Sequence, residues 1–204
     1  MKENIALIIS SLALGISAMT AWLTWLKRGT LKMTQPTVIF LGPDGKAFLG
    51  GNYHPKVFMR TLLYSTSKRG QTIESLYVNV QRDETNQNFS IWVYGDKQLL
   101  RGSGLYVGIE GVACDHHFLL PKDGAKFTLL AGDYRLRFYG KRVVDRTAKE
   151  LADIVVTISE ADAIHLATYQ AGIYFDWGPD QQAYQSHTEF LPPERTSAIS
   201  ETHS

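Results

Sequence analysis

The chain has 204 residues, of which 44% are apolar and 20% are charged, and its net charge is +1. This composition predicts one ordinary folded domain rather than a disordered chain. The near-neutral charge argues against a nucleic-acid partner, because proteins that bind nucleic acid carry a basic face. The single cysteine, Cys114, excludes an intrachain disulfide and motifs built on paired cysteines.

The N-terminal segment from Ile5 to Leu26 contains no charged residue and is followed at once by two basic residues. A helix of this length is about 33 Å long, and the hydrocarbon core of a bilayer is about 30 Å thick. The segment is longer than the apolar stretch of a secretory signal, and two tryptophans near its end suit the headgroup level. The sequence therefore predicts an uncleaved single-pass membrane anchor over residues 1–26. A cleaved signal and a buried soluble helix are the alternatives.

The basic residues around this segment predict its orientation. Lys27, Arg28 and Lys32 follow the segment, whereas Lys2 alone precedes it. Because basic residues accumulate on the cytoplasmic side of a span, we expect a basic linker over residues 27–36 and a cytoplasmic domain behind it. A periplasmic or extracellular domain is the alternative.

Small residues recur within the predicted anchor. Ala13, Ser17 and Ala21 are spaced four residues apart, which allows two such helices to approach closely in a bilayer. This spacing permits a homo-oligomer formed through the anchor. The abundance of small residues in membrane helices explains the same pattern without any oligomer.

The stretch over residues 37–184 contains short apolar runs, rich in β-branched and aromatic residues, between turns rich in Gly, Pro, Asn and Asp. This pattern predicts an all-β domain of eight or nine strands. A short helix is expected near residues 161–169, where Ser159 and Asp162 have the spacing of a capping box. Residues 82–88 are polar and are expected to form a loop. The predicted strands cover residues 37–41, 57–65, 73–81, 89–94, 105–109, 112–120, a strand opened by Tyr134, 153–159 and 173–177.

The segment from Lys126 to Phe138 has the order strand, Gly-Asp corner, and a second strand that Tyr134 opens. It resembles the tyrosine corner of immunoglobulin-like sandwiches, in which a Tyr hydrogen-bonds back across such a corner. The resemblance implies an immunoglobulin-like antiparallel β-sandwich. The Cys, Trp and Cys framework of antibody domains is missing, so the resemblance extends to the fold alone.

The C-terminal residues 185–204 are polar, include two successive prolines, and have no periodic apolar pattern. We expect them to form a disordered tail.

Four successive side chains that can bind metal occur at Cys114, Asp115, His116 and His117. In a strand, Cys114 and His116 share one face while Asp115 and His117 share the other. A zinc site needs about four ligands, or three and a water, so other segments must supply the rest. The alternative is a buried Cys114 that packs as a small apolar side chain, with histidines that are exposed or bonded to the backbone.

A second candidate segment runs from Phe175 to Asp180, where aromatic residues alternate with carboxylates and a Gly-Pro turn. Such a segment suits a sugar or a peptide ligand, and it equally suits a strand end with a core Trp. The chain contains no P-loop, HExxH motif, EF-hand loop or recognisable Ser/His/Asp order, so we expect no catalytic residue and no cofactor.

The sequence therefore predicts a membrane-anchored, non-enzymatic module that binds another protein at the bilayer surface. One alternative is a tethered metal-binding protein or metal-dependent enzyme that uses the cluster from Cys114 to His117. Another is an envelope carbohydrate-binding module, which requires the opposite orientation in the membrane.

Overall fold

The computed structural model describes residues 2–23, 29–44, 54–96, 98–121, 127–167 and 171–190. Within these ranges the chain forms two α-helices and thirteen strands. In chain order they are α1 (Lys2–Ala21), β1 (Leu31–Met33), β2 (Val38–Pro43), β3 (Pro55–Ser65), β4 (Gln71–Arg82), β5 (Thr85–Phe89), β6 (Ile91–Tyr94), β7 (Leu100–Arg101), β8 (Leu105–Val107), β9 (Val112–Leu119), β10 (Gly132–Arg142), β11 (Lys149–Ile158), α2 (Glu160–Ala167), β12 (Ala171–Gly178) and β13 (Ala183–Phe190).

Helix α1 is apolar along most of its length, after the polar residues Lys2, Glu3 and Asn4. Residues Asn4–Ala21 have a mean hydropathy of 1.8, and none of this window is buried against the rest of the protein. The helix is long and apolar enough to be a membrane anchor or a signal sequence. The last residues of the predicted span and the two basic residues after it lie outside the described part of the chain.

Two antiparallel sheets make up the rest of the fold. The first has the order β13-β12-β2-β3-β9-β6-β7, with β1 paired to β3. The second has the order β11-β10-β4-β5, with β8 paired to β4. The predicted all-β class is therefore confirmed, although the described residues hold more strands than the eight or nine expected.

Both sheets contribute to one hydrophobic core. Alternate residues are buried along the long strands, as the two-residue period of a strand requires. The rings of Phe118 on β9 and Phe138 on β10 face each other across the sheets, with centroids 6.0 Å apart. Burying each such side chain contributes roughly 1.5–3 kcal/mol, so this core holds the two sheets together.

The corner before β10 has the hydrogen bonds that its sequence predicts. The fully buried Tyr134 accepts a hydrogen bond from the Leu130 N–H (2.8 Å) and donates one to the Leu130 carbonyl (2.9 Å). Burial raises the pKa of Tyr134, so the hydroxyl stays protonated and able to donate. The predicted capping box of α2 is also present, because Ser159 Oγ accepts from the Asp162 N–H at 3.1 Å.

The predicted linker over residues 27–36 is shorter than expected. Leu31–Met33 form β1, which pairs with β3, and Thr30 exchanges backbone and hydroxyl hydrogen bonds with Thr66. The prediction treated this stretch as linker because its polar composition hides the strand. Gly29, Thr30 and β1 are therefore already bonded to the sheets, ahead of residue 37.

The predicted polar loop over residues 82–88 is instead a hairpin between β4 and β5. Its turn is two residues long, and Asp83 adopts a positive φ of 50°, which Asp tolerates better than most residues. The predicted strand over residues 89–94 is split, because the chain leaves the second sheet after Phe89 and enters the first at Ile91. The apolar alternation continues across residues 89–94 because β5 and β6 pack against the same core from different sheets.

The predicted disordered tail over residues 185–204 begins too early. Residues 185–190 belong to β13, which pairs with β12 along its whole length. The side chains of β13 are mostly exposed, so backbone hydrogen bonds rather than burial hold this strand, and no apolar pattern marks it. Residues 191–204 lie outside the described part of the chain.

Candidate functional site

The four predicted metal ligands lie on β9 and divide between its two faces. Cys114 and His116 point into the core, where their side chains are 6% and 0% exposed. Asp115 and His117 are half-buried on the outer face of the first sheet. The alternation that the sequence predicted is therefore present.

The inner pair is held by Trp92 on β6. The Trp92 Nε1–H donates to His116 Nδ1 at 3.1 Å, and His116 Nε2 lies 3.5 Å from Cys114 Sγ. Because Nδ1 accepts, the neutral ring must carry its proton on Nε2, which faces the sulfur. The histidine therefore uses both ring nitrogens inside the core.

Burial keeps both groups of the inner pair uncharged. Burial, with a smaller contribution from the neighbouring His117, lowers the pKa of His116 to about 4. It raises the pKa of the Cys114 thiol to about 11, with help from the charges of Asp96 and Asp115. At neutral pH the pair is a thiol beside a neutral imidazole, and both ring nitrogens of that imidazole face partners inside the core.

The outer pair is engaged by different partners. Arg60 Nη1 donates to Asp115 Oδ1 at 2.6 Å and to Asp96 Oδ1 at 3.0 Å. The His117 ring lies against Phe58, with centroids 5.0 Å apart, and burial together with Lys56 lowers its pKa. In the described part of the chain, no three His, Cys, Asp or Glu side chains are grouped so that they could hold a metal ion.

A cleft of about 510 Å³ opens along one side of the sandwich. It lies where β11 ends the second sheet and β13 ends the first. Its size is that of a ligand-binding pocket. The lining residues are Gln35, Asp153, Ile154, Val155, Val156, Thr157, Phe175, Trp177, Gln182, Ala183, Tyr184 and Ser186.

The free edge of β11 forms one wall of this cleft. Five successive residues, 153–157, line it. Because side chains alternate between the faces of a strand, successive residues can all line one cleft when the strand presents its edge. Every second residue of an antiparallel edge strand directs its N–H and C=O away from its neighbour. The cleft therefore faces backbone groups that have no strand partner among the described residues.

Two aromatic side chains form the opposite wall. The rings of Trp177 and Tyr184 meet at 5.1 Å in a T-shaped contact. Tyr184 donates to the Pro36 carbonyl (2.9 Å) and accepts from Gln35 Nε2 (2.9 Å), and burial raises its pKa to about 12. These bonds hold the aromatic wall in place before any ligand arrives.

The second candidate segment, from Phe175 to Asp180, thus lies partly at the cleft. Phe175 and Trp177 line it, whereas Asp176 faces the other side of the sheet and pairs with His187 at 3.0 Å. The predicted arrangement of an aromatic beside a carboxylate is therefore absent at this point, since strand alternation separates the two.

Strand β11 has few of the features that usually protect an edge strand. From Glu150 to Ile158, β11 contains no Lys, Arg or Pro, and Val155 is 59% exposed. Its Asp153 carboxylate accepts hydrogen bonds from Arg135 Nε, with N–O distances of 2.8 and 2.9 Å. Proteins usually protect an edge with Lys, Pro or a short strand, because an open edge pairs with other chains. From Glu150 onward the β11 edge lacks these features, and the sequence contained no signal that this strand lies at an edge.

Comparison with known proteins finds no family model, no curated protein and no solved structure that matches this chain.

Proposed function

We propose that this protein is a single-pass, membrane-anchored, non-enzymatic module of immunoglobulin-like type that binds another protein by adding a strand of that partner to β11. The observation that carries the proposal is the unprotected edge of β11, which lines a cleft with an aromatic opposite wall. The tyrosine-corner hydrogen bonds of Tyr134 support the immunoglobulin-like type.

An extended segment fits this cleft for a physical reason. Residues 153–157 span roughly 17 Å of edge, enough for a five-residue strand. Backbone hydrogen bonds to the edge would give affinity, and alternate side chains would give specificity. One set of partner side chains would enter the cleft towards Trp177 and Tyr184, so we expect apolar residues at every second position of the bound segment.

The inner chemistry of the domain supports a binding role over a catalytic one. Cys114 and His116 are uncharged and buried in the core, where His116 accepts a hydrogen bond from Trp92 and lies 3.5 Å from the Cys114 sulfur. A group in this state stabilises a fold, and it lies apart from the residues that line the cleft.

The anchor and its orientation are part of the proposal. The exposed apolar surface of α1 supports a membrane segment, the length of the uncharged run supports a span that is not cleaved, and the basic residues that follow support a cytoplasmic domain. A reporter fused to the C-terminus tests the orientation. Activity of a reporter that works in the cytoplasm alone is expected, and activity of a periplasm-specific reporter would contradict it.

The binding experiment uses the full-length protein in lipid nanodiscs as bait for a library of displayed random peptides. We expect selected peptides with apolar residues at alternate positions, and we expect them to slow hydrogen exchange of the amides in residues 153–157. The substitution Val155→Lys should weaken peptide binding at least tenfold, because a charged side chain on the edge opposes strand addition.

The matched control is Thr85→Lys, an exposed position on β5 at the other edge of the same sheet. Peptide binding should change less than twofold in this variant. Selected peptides that protect amides elsewhere, or bind Val155→Lys as tightly as the unsubstituted protein, would contradict strand addition at β11.

A further inference from the structure

The turn between β10 and β11 has exposed apolar side chains. Val143 and Val144 occupy the turn and are 61% and 66% exposed. Gly, Asn, Asp, Ser and Pro are the usual turn residues, and β-branched residues have no conformational advantage there. Neither valine contributes to the core, so the fold does not explain the choice of residues.

This turn lies beside Gly29, which precedes β1 in the chain. Arg142 Nη1 donates to the Gly29 carbonyl at 3.1 Å, and its other nitrogens hold Asp145 at 2.5 and 2.7 Å. The Val143 N–H donates to the Thr72 carbonyl at 3.1 Å. The valine turn and the chain that leads back to α1 are therefore at the same end of the sandwich, which we call the Gly29 end.

Other exposed apolar side chains lie at the Gly29 end. Tyr106 is 58% exposed and donates to the Arg69 carbonyl at 3.1 Å, and Ile109 is 51% exposed. The Gly108 carbonyl accepts from the Ser65 N–H, which keeps this segment next to the end of β3.

Basic side chains surround this apolar group. Lys68, Arg69 and Arg146 are exposed at the two turns. Asp145 is neutralised by Arg142 and lies 3.8 Å from Lys149, and the exposed acids of the adjoining segments are Glu110 and Glu150. The Gly29 end therefore combines apolar tips with a positive rim.

The chain length between α1 and this end is short. Five residues separate Leu23 from Gly29, and the six Cα–Cα steps from one to the other can span at most about 22 Å. If α1 is the anchor, as the proposed function holds, the Gly29 end is kept within that distance of the bilayer surface.

We propose that the Gly29 end docks onto the bilayer. Val143 and Val144 enter the boundary between headgroups and acyl chains, and Tyr106 lies at the headgroup level, where amphipathic rings are favoured. Lys68 and Arg146 contact anionic headgroups, because the negative surface of such a membrane attracts basic residues.

Docking would also fix the distance between the cleft and the bilayer surface. Strand β11 starts at Lys149 at this end, and Asp153 follows four residues later, roughly 13 Å along the strand. The edge that we propose for partner binding would then stand upright close to the membrane. A partner segment next to its own membrane span would be within reach.

The test places a nitroxide label on the full-length protein in nanodiscs containing anionic lipid. Three single substitutions carry the label: Val144→Cys at the proposed contact, Glu84→Cys at the far end of β4, and Leu14→Cys within α1. Cys114 is buried and its thiol pKa is about 11, so it should not react at neutral pH, and the unsubstituted protein checks this. The measured quantity is the ratio of collisions with oxygen to collisions with a water-soluble nickel complex.

We expect this ratio at position 144 to be at least fivefold above that at position 84 and below that at position 14. The double substitution Lys68→Glu and Arg146→Glu should lower the ratio at position 144 by at least half. Nanodiscs of phosphatidylcholine alone should have the same effect.

A ratio at position 144 within twofold of that at position 84 would overturn docking. If position 14 is lipid-exposed in that case, the anchor stands and docking alone is wrong. If position 14 is also water-exposed, the anchor and docking are both wrong. Peptide binding at β11 is measured separately and is unaffected by either result.

Discussion

Strand β9 carries two pairs of polar side chains that are adjacent in sequence but lie on opposite faces. The two pairs differ in their burial and in the groups that they contact. The inner pair, Cys114 and His116, is uncharged and buried, with Trp92 as its hydrogen-bond donor. On the outer face, Asp115 forms an ion pair with Arg60, and His117 packs against Phe58. The difference shows that four potential metal ligands in a row need not form one site, because a strand sends neighbours to opposite sides.

The largest effect that separates the two faces should come from truncating the histidines. His116→Ala leaves a cavity and a buried Trp92 N–H without an acceptor, so we expect a loss of about 3 kcal/mol in the free energy of unfolding. His117→Ala, on the outer face, should cost about 1 kcal/mol or less. Denaturant unfolding in detergent micelles measures the free energy of unfolding of both variants. Equal losses would contradict the difference between the two faces.

The second effect is a pH dependence that comes mainly from His116 on the inner face, with a contribution of the same sign from His117. The pKa of His116 is about 4 in the folded protein, against about 6.5 when unfolded. Between these values the unfolded state binds the proton and the folded state does not, so stability falls as the pH drops from 6.5 towards 4. The loss should approach about 3 kcal/mol at the lower limit.

The His116→Gln variant is the control for this titration. Its unfolding free energy should change much less between pH 6.5 and 4.5 than that of the unsubstituted protein. Identical slopes for the two proteins would mean that His116 does not titrate as its burial predicts.

A smaller effect is expected from the charged pair on the outer face. Asp115→Asn removes the ion pair with Arg60, whose side chain is 44% exposed. Solvent screens such a pair, so we expect a loss of about 1 kcal/mol or less that shrinks further at high salt. A loss as large as that of His116→Ala would show that the outer face is as tightly coupled to the fold as the inner face.

The smallest effect should be that of a metal chelator. The ligands are divided between the faces, and Trp92 already occupies His116 Nδ1. We therefore expect the melting temperature to be the same with and without chelator, and elemental analysis to find no stoichiometric zinc, copper or iron. A chelator-dependent drop in melting temperature, together with bound metal, would restore the metal-binding alternative.

Local pattern accounts for the parts of the fold that the sequence predicted well. The alternation of β9, the capping box at Ser159 and the corner at Tyr134 all depend on residues within a few positions of one another. Periodicity and capping depend on residues that are close together in the chain, so both can be recognised in a single sequence.

Long-range pairing accounts for the parts that it missed. Strand β13 is held by backbone bonds to β12, which leave no apolar signature in residues such as Gln185 and Glu189. The strand at β11 was expected, but its position at an edge depends on which strands lie beside β10. The division between β5 and β6 at Ser90 also arises from a core that two sheets share.

By itself, the sequence determined the apolar N-terminal helix, the all-β class and the two faces of β9, because composition and a two-residue period decide these locally. Only the tertiary structure decided that β11 and β13 end their sheets beside a common cleft, and that the Val143–Val144 turn lies next to Gly29. These facts depend on contacts between residues more than a hundred positions apart, such as the one from Arg142 to Gly29. No local pattern encodes them, because the free energy that selects such contacts comes from the packing of the whole domain.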